Sequence, residues 1–527
     1  MAEHPLGQAD TLLQEGQMQP FELEGKPVLL ARVDGQYYAS SGKCAHYGAP
    51  LHEGLLRGHA VMCPWHHACY DVRSGARLEP PALNDLAHYP VRIEDGVVLV
   101  TLPHDNAVAP QGKADPAIQQ TFVIVGGGAA GNAAAEALRR GNFKGKIILV
   151  SAVSNVPVDR PNLSKDYLDG HAKPEWMPLR DEGWYAQRDI DLRLNMQVMR
   201  LDLAAHTLYL DQGEPLRYDK LLLATGATAR HLRNTPGADL EGIYTLRTLA
   251  DADAIIQAVQ VGKRVVIVGA SFIGMEVAAA LAGGRGASVS VVAPDSVPFE
   301  RTLGGDIGRM FQREHEAHGV QFYLDDSVTA FIGENDTVSG VRLKSGKMLE
   351  ADFVVVGVGV VPATEFLRDS GLRLDEKDGS VRVNTHLQAS HPDVYAAGDI
   401  ARWGEGTGTR IEHWRVAQQH GVVAAHNMLG RGQDVRAHVP FFWTTQWHVR
   451  LNYVGHAAQW DEIIYRGTPE HKQFIAFYVS GGKLQAAAGC GYDQDLIALE
   501  FILQQNLPLS AEQMRSKSFS LVDYARS

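Results

Sequence analysis

Two short pairs of residues carry the densest chemistry in the chain: Cys44-Ala45-His46 and, sixteen residues further on, Cys63-Pro64-Trp65-His66. Each pair offers one thiolate and one imidazole. Two sulfurs and two nitrogens can hold a structural zinc ion, or a [2Fe–2S] cluster in which the thiolates bind one iron and neutral imidazoles the other. Zinc sites more often pair like with like, whereas C-x-H with C-x-x-H suits the cluster. Cys69 stands outside the four-ligand pattern and reads as a partly buried thiol.

A second constellation is rich in glycine. Thr121 to Leu138 reads as a strand, then Gly126-x-Gly128-x-x-Gly131 with Ala130 inside it, then a helix. Glycines let backbone approach a pyrophosphate, and the helix N-terminus faces its negative charge. The pattern returns as Val266-Ile267-Val268 followed by Gly269-Ala270-Ser271-Phe272-Ile273-Gly274, with Ser271 in place of the middle glycine, so two related α/β units follow one another. The acidic ribose ligand expected about 20 residues past the first fingerprint is replaced by Ser151, which can still hydrogen-bond a hydroxyl. After the second fingerprint the chain offers Ala293 and then Asp295, with no Lys or Arg from Ser288 to Pro298 to hold a 2′-phosphate. NADH is therefore favoured over NADPH, with Asp295 as the ribose contact.

The elements that must position these residues follow from pattern. Phe21 to Leu102 is a run of short strands with Asp34-Gly35 and Asp95-Gly96 at hairpin tips, an all-β domain. Pro103 to Gln120 has no apolar periodicity and reads as a linker. Beyond about Arg436 strands return and close with a helix, Asp493 to Gln505, that carries Leu496, Leu499 and Leu503 on one face. The expected fold is multidomain: an N-terminal all-β domain (1–105), a linker (106–120), a first dinucleotide domain (121–243 and 365–435), a second inserted in it (244–364), and an α+β C-terminal domain (436–527).

Composition narrows the function. With 49 Lys+Arg against 61 Asp+Glu, a net charge of −12 and no basic run, the chain carries no footprint for nucleic acid. No apolar stretch is long enough for a membrane span and no signal-peptide pattern occurs at the N-terminus, so a cytoplasmic location is expected. Four cysteines, two of them beside histidines, point to a metal rather than to disulfides.

Cys44 to Asp71 resembles the cluster-binding segment of Rieske ferredoxins and oxygenase Rieske domains. Respiratory Rieske proteins have an extra Cys in each loop and a Ser near the sulfide, where Ala49, Trp65 and Ala68 stand here, with Tyr70 left as a donor. That implies a potential toward the low end of roughly −150 to +300 mV. Ala224-Thr225-Gly226 and Ala397-Gly398-Asp399 resemble later motifs of flavoproteins with two dinucleotide domains, and Asp159 to Lys165 resembles flavin-dependent ferredoxin reductases and apoptosis-inducing-factor-like proteins.

The resemblance implies that Arg160 and Asp399 hold FAD, that Pro161 packs near its ring, and that Lys165 donates to it and pairs with Glu276 where the nicotinamide stacks. It also implies that Glu412-His413-Trp414 and Trp443 pass close to the flavin, and that the Gly357-to-Pro362 segment, with Gly359, closes the NAD domain. The reading is a Rieske-fused ferredoxin reductase passing electrons from NADH through FAD to the cluster, then to a one-electron acceptor: an oxygenase, cytochrome or ferredoxin. Monomer and homo-oligomer both stay open. The alternatives are an NADH oxidase and an NADH-responsive binding protein. No C-x-x-x-x-C follows the first fingerprint, no room remains for a mononuclear iron domain, and the cysteines are too few for a sirohaem reductase.

Overall fold

An Asp-Gly hairpin tip needs two successive residues at positive φ. The computed structural model, which describes residues 2–103 and 112–526, has Asp34 and Gly35 at φ 52° and 71°, and Asp95 and Gly96 at 49° and 78°. The first turn pairs Lys26–Val33 with Gln36–Ser41 and the second pairs Val91–Glu94 with Val97–Leu102. A separate antiparallel sheet runs Leu55–Arg57, Ala60–Met62, Cys69–Asp71, Arg77–Glu79. Cys44 and His46 follow the strand Gln36–Ser41, and Cys63 and His66 lie in the loop between Ala60–Met62 and Cys69–Asp71. Residues 106–111 of the expected linker lie outside the described residues.

The two α/β units share one plan. In the first, parallel strands run in the order Ile190–Arg193, Lys146–Val150, Thr121–Val125, Lys220–Leu223, Val394–Ala396. In the second the order is Gln321–Tyr323, Ser288–Val292, Arg264–Val268, Phe353–Val356, Ile243–Tyr244. Each unit places its fingerprint strand at the centre and carries a three-stranded antiparallel insert. The central strands are continuous apolar runs because both faces of the sheet are covered: in the second unit Val265 and Ile267 pack against helix residues such as Val277 and Ala278, and Val266 and Val268 against Phe331, Val341 and Leu349 of the insert. The chain crosses between the units on a short ribbon in which Ala227–Ala229 pairs with Val360–Pro362.

The C-terminal sheet runs Phe441–Gln446, Val449–Gly455, Lys483–Cys490, Gln473–Ser480, Glu462–Thr468, all antiparallel, with the helix Asp493–Gln504 against it. It shares a core with both neighbours. Phe442, Tyr453 and Tyr478 pack with the second α/β unit. Leu55, Met62 and Cys69 of the N-terminal domain pack with Phe441, Leu496 and Leu499. Burying a Leu or Met side chain contributes about 1.5–3 kcal/mol, so this second cluster anchors the N-terminal domain on the C-terminal one. Among the described residues no helix is long and apolar enough to cross a membrane.

Candidate redox site

The four ligand candidates, mixed in sequence, are sorted by type in space. His46 Nδ1 and His66 Nδ1 face one another at 3.1 Å, while Cys44 and Cys63, both buried, share a hydrogen bond. A sulfur pair beside a nitrogen pair is the donor arrangement a two-iron cluster requires. Burial pushes His46 down to about 4 and His66 further, so both imidazoles are neutral at pH 7 and free to ligate. The bond from Cys63 brings Cys44 down to about 7, and the same bond drives Cys63 up. The Tyr70 hydroxyl accepts from the Ala45 N–H at 3.1 Å and lies 3.2 Å from Cys44 Sγ, which places a donor at the sulfur edge. Burial pushes the Cys69 thiol up, so it stays protonated.

A cavity of about 890 Å³ runs along the first fingerprint, large enough for a dinucleotide. Gly126, Gly128, Ala130, Ser151, Arg160, Pro161, Lys165, Ala224, Thr225, Gly226, Asp399, Glu412, His413 and Trp414 all line it. Two of the fingerprint glycines are sterically required: a Cβ on Gly131 would lie 1.9 Å from Gly126 O, and one on Gly126 2.2 Å from Ala224 O. Arg160 forms no ion pair among the described residues, and burial with Arg247 nearby lowers its pKa to about 10. A guanidinium held without a carboxylate at a glycine-rich cradle fits an anionic pyrophosphate, so the residues present fit FAD.

Sequence reasoning missed Arg247, whose Nη2 lies 2.7 Å from Asp399 Oδ2. It also missed two supports of Glu276, Ser164 and Thr444. Lys165 Nζ sits 2.7 Å from Glu276 Oε2. Ser164 donates to the same oxygen, and Thr444 Oγ1 donates to Oε1 at 2.7 Å. Behind Thr444, Gln446 Nε2 donates at 3.0 Å, and Gln446 is met by His315 Nε2 at 2.9 Å. The carboxylate carried by the helix Phe272–Ala279 is thus held from two sides, by Ser164 and Lys165 and by Thr444 of the C-terminal strand.

Trp443 stands apart from the other residues expected near the flavin. It lines no part of the cavity, and its indole lies against His66 with ring centroids 4.3 Å apart. Successive side chains of a strand point to opposite faces. In Phe441–Gln446 the even positions serve the reductase side: Phe442 stacks on His413, Thr444 holds Glu276, Gln446 meets His315. The odd positions 441 and 443 serve the N-terminal domain: Phe441 stacks on His67, and Trp443 lies tilted by 44° against His66.

Gly269, Ser271, Gly274 and Gly357 lie together at the second fingerprint, outside the large cavity, while Gly359 O accepts from Arg230 N–H at 2.9 Å. A Cβ on Gly274 would lie 2.1 Å from Gly269 O, one on Gly269 2.4 Å from Gly357 O, and Ser271 Oγ donates to Gly357 O at 3.3 Å. Asp295 is paired with Arg301 Nε at 3.0 Å, a cation three residues beyond the window read for basic residues.

The N-terminal domain is seated on a buried charged seam. The fully buried Arg415 donates to Pro80 O at 2.9 Å and to Glu500 Oε1 at 2.8 Å, and His67 Nδ1 meets the other Glu500 oxygen at 2.5 Å. Glu79 accepts from Gln419 and lies 2.7 Å from His438. Burial works to raise Glu79, yet His438 and Arg415 outweigh it and hold the carboxyl down at about 2. Removing one partner from such a set costs about 3–5 kcal/mol, because a charge is left buried alone.

Three family descriptions match: Rieske [2Fe-2S] domain over residues 3–90, pyridine nucleotide-disulphide oxidoreductase over 120–421, and reductase C-terminal over 441–525. Apoptosis-inducing factor 3 of Homo sapiens is 37% identical over 497 residues, covering 91% of this chain and 80% of that protein. The 3-phenylpropionate/cinnamic acid dioxygenase ferredoxin–NAD(+) reductase component of Photorhabdus laumondii is 37% identical over 73% of this chain and 96% of its own. Among solved structures, the covalent putidaredoxin reductase–putidaredoxin complex superposes with a TM-score of 0.73 at 29% identity, over 77% of this chain and 99% of that one.

Proposed function

The chain belongs to the pyridine nucleotide-disulphide oxidoreductase family, and on that premise we propose that it is a self-contained electron-transfer unit in which the fused Rieske domain takes the place of a separate ferredoxin. It is an NADH-dependent oxidoreductase with FAD and a [2Fe–2S] cluster. FAD, when bound, converts a hydride into electrons delivered singly. The acceptor beyond the cluster is a one-electron protein such as an oxygenase, cytochrome or ferredoxin.

The chain's own residues divide the work. Cys44, Cys63, His46 and His66 would hold the irons. Gly126, Gly128, Gly131, Ser151, Arg160 and Asp399 would bind FAD, with Arg160 neutralising the pyrophosphate. Gly269, Ser271, Gly274, Asp295, Gly357 and Gly359 would bind NADH. Lys165, fixed by Glu276, keeps an ammonium at the cavity wall, where a cation stabilises anionic charge as it develops. Residues 1–105 are the Rieske domain, 121–243 with 365–435 the FAD domain, 244–364 the NAD domain and 436–527 the reductase C-terminal domain.

The observation that carries the proposal is the burial of the imidazole edge inside the molecule. His66 is 7% exposed and lies against Trp443, whose neighbour Thr444 hydrogen-bonds Glu276 in the cavity wall. Anaerobic titration with NADH, following flavin absorbance and the Rieske EPR signal together, tests it. Uptake of about three electrons per chain, two on FAD and one on the cluster, is expected. A flavin that reduces beside an intact cluster that stays oxidised would overturn it.

A further inference from the structure

The residue after His46 makes a contact that neither the cluster ligands nor the dinucleotide motifs account for. The Tyr47 ring lies flat on the His46 imidazole, centroids 3.9 Å apart and planes 14° from parallel, and meets His66 edge-on at 5.5 Å. Its hydroxyl crosses the domain boundary and donates to Asp159 Oδ2. Asp159 is buried and fixed by its own backbone: its N–H donates to Met177 O at 2.9 Å, and its carbonyl accepts from Asn162 at 3.2 Å. It opens the single turn Arg160–Ser164, whose residues Arg160, Pro161 and Ser164 line the large cavity together with Lys165.

The geometry points to Tyr47 and Asp159 as a positioning pair that clamps the His46 loop onto the flavin-side turn and fixes the His46 imidazole for electron transfer between the two centres. This rests on the proposed function, since it assumes an electron crosses there. The physical case has two parts. A phenol stacked on one ligand ring and hydrogen-bonded to a backbone-anchored carboxylate loses little freedom on docking, so it transmits position where apolar packing alone would allow sliding. Trp443 touches His66 from the opposite element but forms no such bond to the turn, so it supplies packing while Tyr47 supplies register. The other Asp159 oxygen is buried without a hydrogen-bond partner, so the carboxylate has no alternative donor if the phenol is removed.

Tyr47→Phe keeps the ring and deletes the bond. In the full-length holoprotein, anaerobic stopped-flow with NADH should show flavin reduction at the parental rate and cluster reduction slowed about tenfold, the scale of a sub-ångström misplacement. Asp159→Asn retains a carbonyl acceptor and should fall between the parent and Tyr47→Phe. The double variant should be no slower than Tyr47→Phe alone, because both changes remove one interaction.

A readout independent of turnover is pulsed EPR of dithionite-reduced protein, where the His46 nitrogen coupling should shift in Tyr47→Phe while the His66 coupling holds. Parental cluster reduction and parental nitrogen couplings in Tyr47→Phe would overturn the assignment. If NADH fails to reduce the cluster in the parent itself, the proposed function falls; the dithionite-reduced spectra still decide whether Tyr47 orients His46.

Discussion

The two dinucleotide units have the same strand order, the same central fingerprint and the same steric demand for glycine, yet they are finished differently. The first is roofed. The helix Trp414–Met428 packs so closely on its fingerprint helix that a Cβ on Gly421 would lie 2.2 Å from Ala130 O, and Arg160, the Asp399–Arg247 pair and Trp414 wall the cavity. The second keeps Asp295, its proposed ribose contact, paired with an Arg301 side chain that is 83% exposed. On the proposed assignment of FAD to the first unit and NADH to the second, one scaffold would thus make a site that retains its ligand and a site that exchanges it, and the difference comes from what other segments add rather than from the fingerprints.

The sharpest way to break this comparison is to spoil both cradles alike. Gly131→Ala should yield protein without bound flavin, whereas Gly274→Ala should keep its flavin and raise the KM for NADH about tenfold or more, since overpacking costs about 1–3 kcal/mol. Flavin content and steady-state kinetics decide it; equal loss of flavin in both would erase the distinction.

Lys165 belongs to the first unit and Glu276 to the second, so their pair joins the two. Lys165→Ala should slow flavin reduction by NADH about a hundredfold with FAD retained, the magnitude of losing one preorganised electrostatic group. Unchanged single-turnover kinetics would remove Lys165 from the mechanism. Arg160→Gln should weaken FAD about tenfold or more, because a charge-assisted hydrogen bond is worth about 1.5–3 kcal/mol, and equilibrium dialysis reads this directly.

Acid separates the units next. Burial lowers His413 and His420 of the first unit to about 4, and His315 of the second to about 4. A histidine near 6.5 when unfolded and near 4 when folded binds its proton first in the unfolded state. Stability is therefore full above about 6.5 and falls as pH drops toward 4. With two such groups against one, the first unit should give way first, read as flavin release in urea melts at pH 7 and 5. The smallest effect belongs to the exposed pair: Arg301→Ala should change the KM for NADH less than about fivefold.

Much of this was legible because it is local. Asp-Gly tips, fingerprint glycines and the Cys/His pairs are demands a few residues make on their own backbone or on one ligand, and they survive without knowledge of the fold. Arg247 was not, since its value depends on Asp399, 152 residues away. Nor were Ser164 and Thr444, ordinary hydroxyls until Glu276 is placed between them. The contact of Trp443 with His66 was not legible either, because it follows from parity along the strand and not from the neighbouring Phe442. Arg301 escaped because the window for basic residues closed at Pro298, while the turn after that strand folds back onto Asp295.

The strand Phe441–Gln446 has a consequence for how the molecule can change. Parity along the strand is an address: Phe442, Thr444 and Gln446 report to the hydride side, Phe441 and Trp443 to the iron side. Substitutions can retune either partner separately, but a single inserted or deleted residue would deliver every side chain beyond it to the other recipient at once. Within this segment, variation by substitution is open and variation by length is closed.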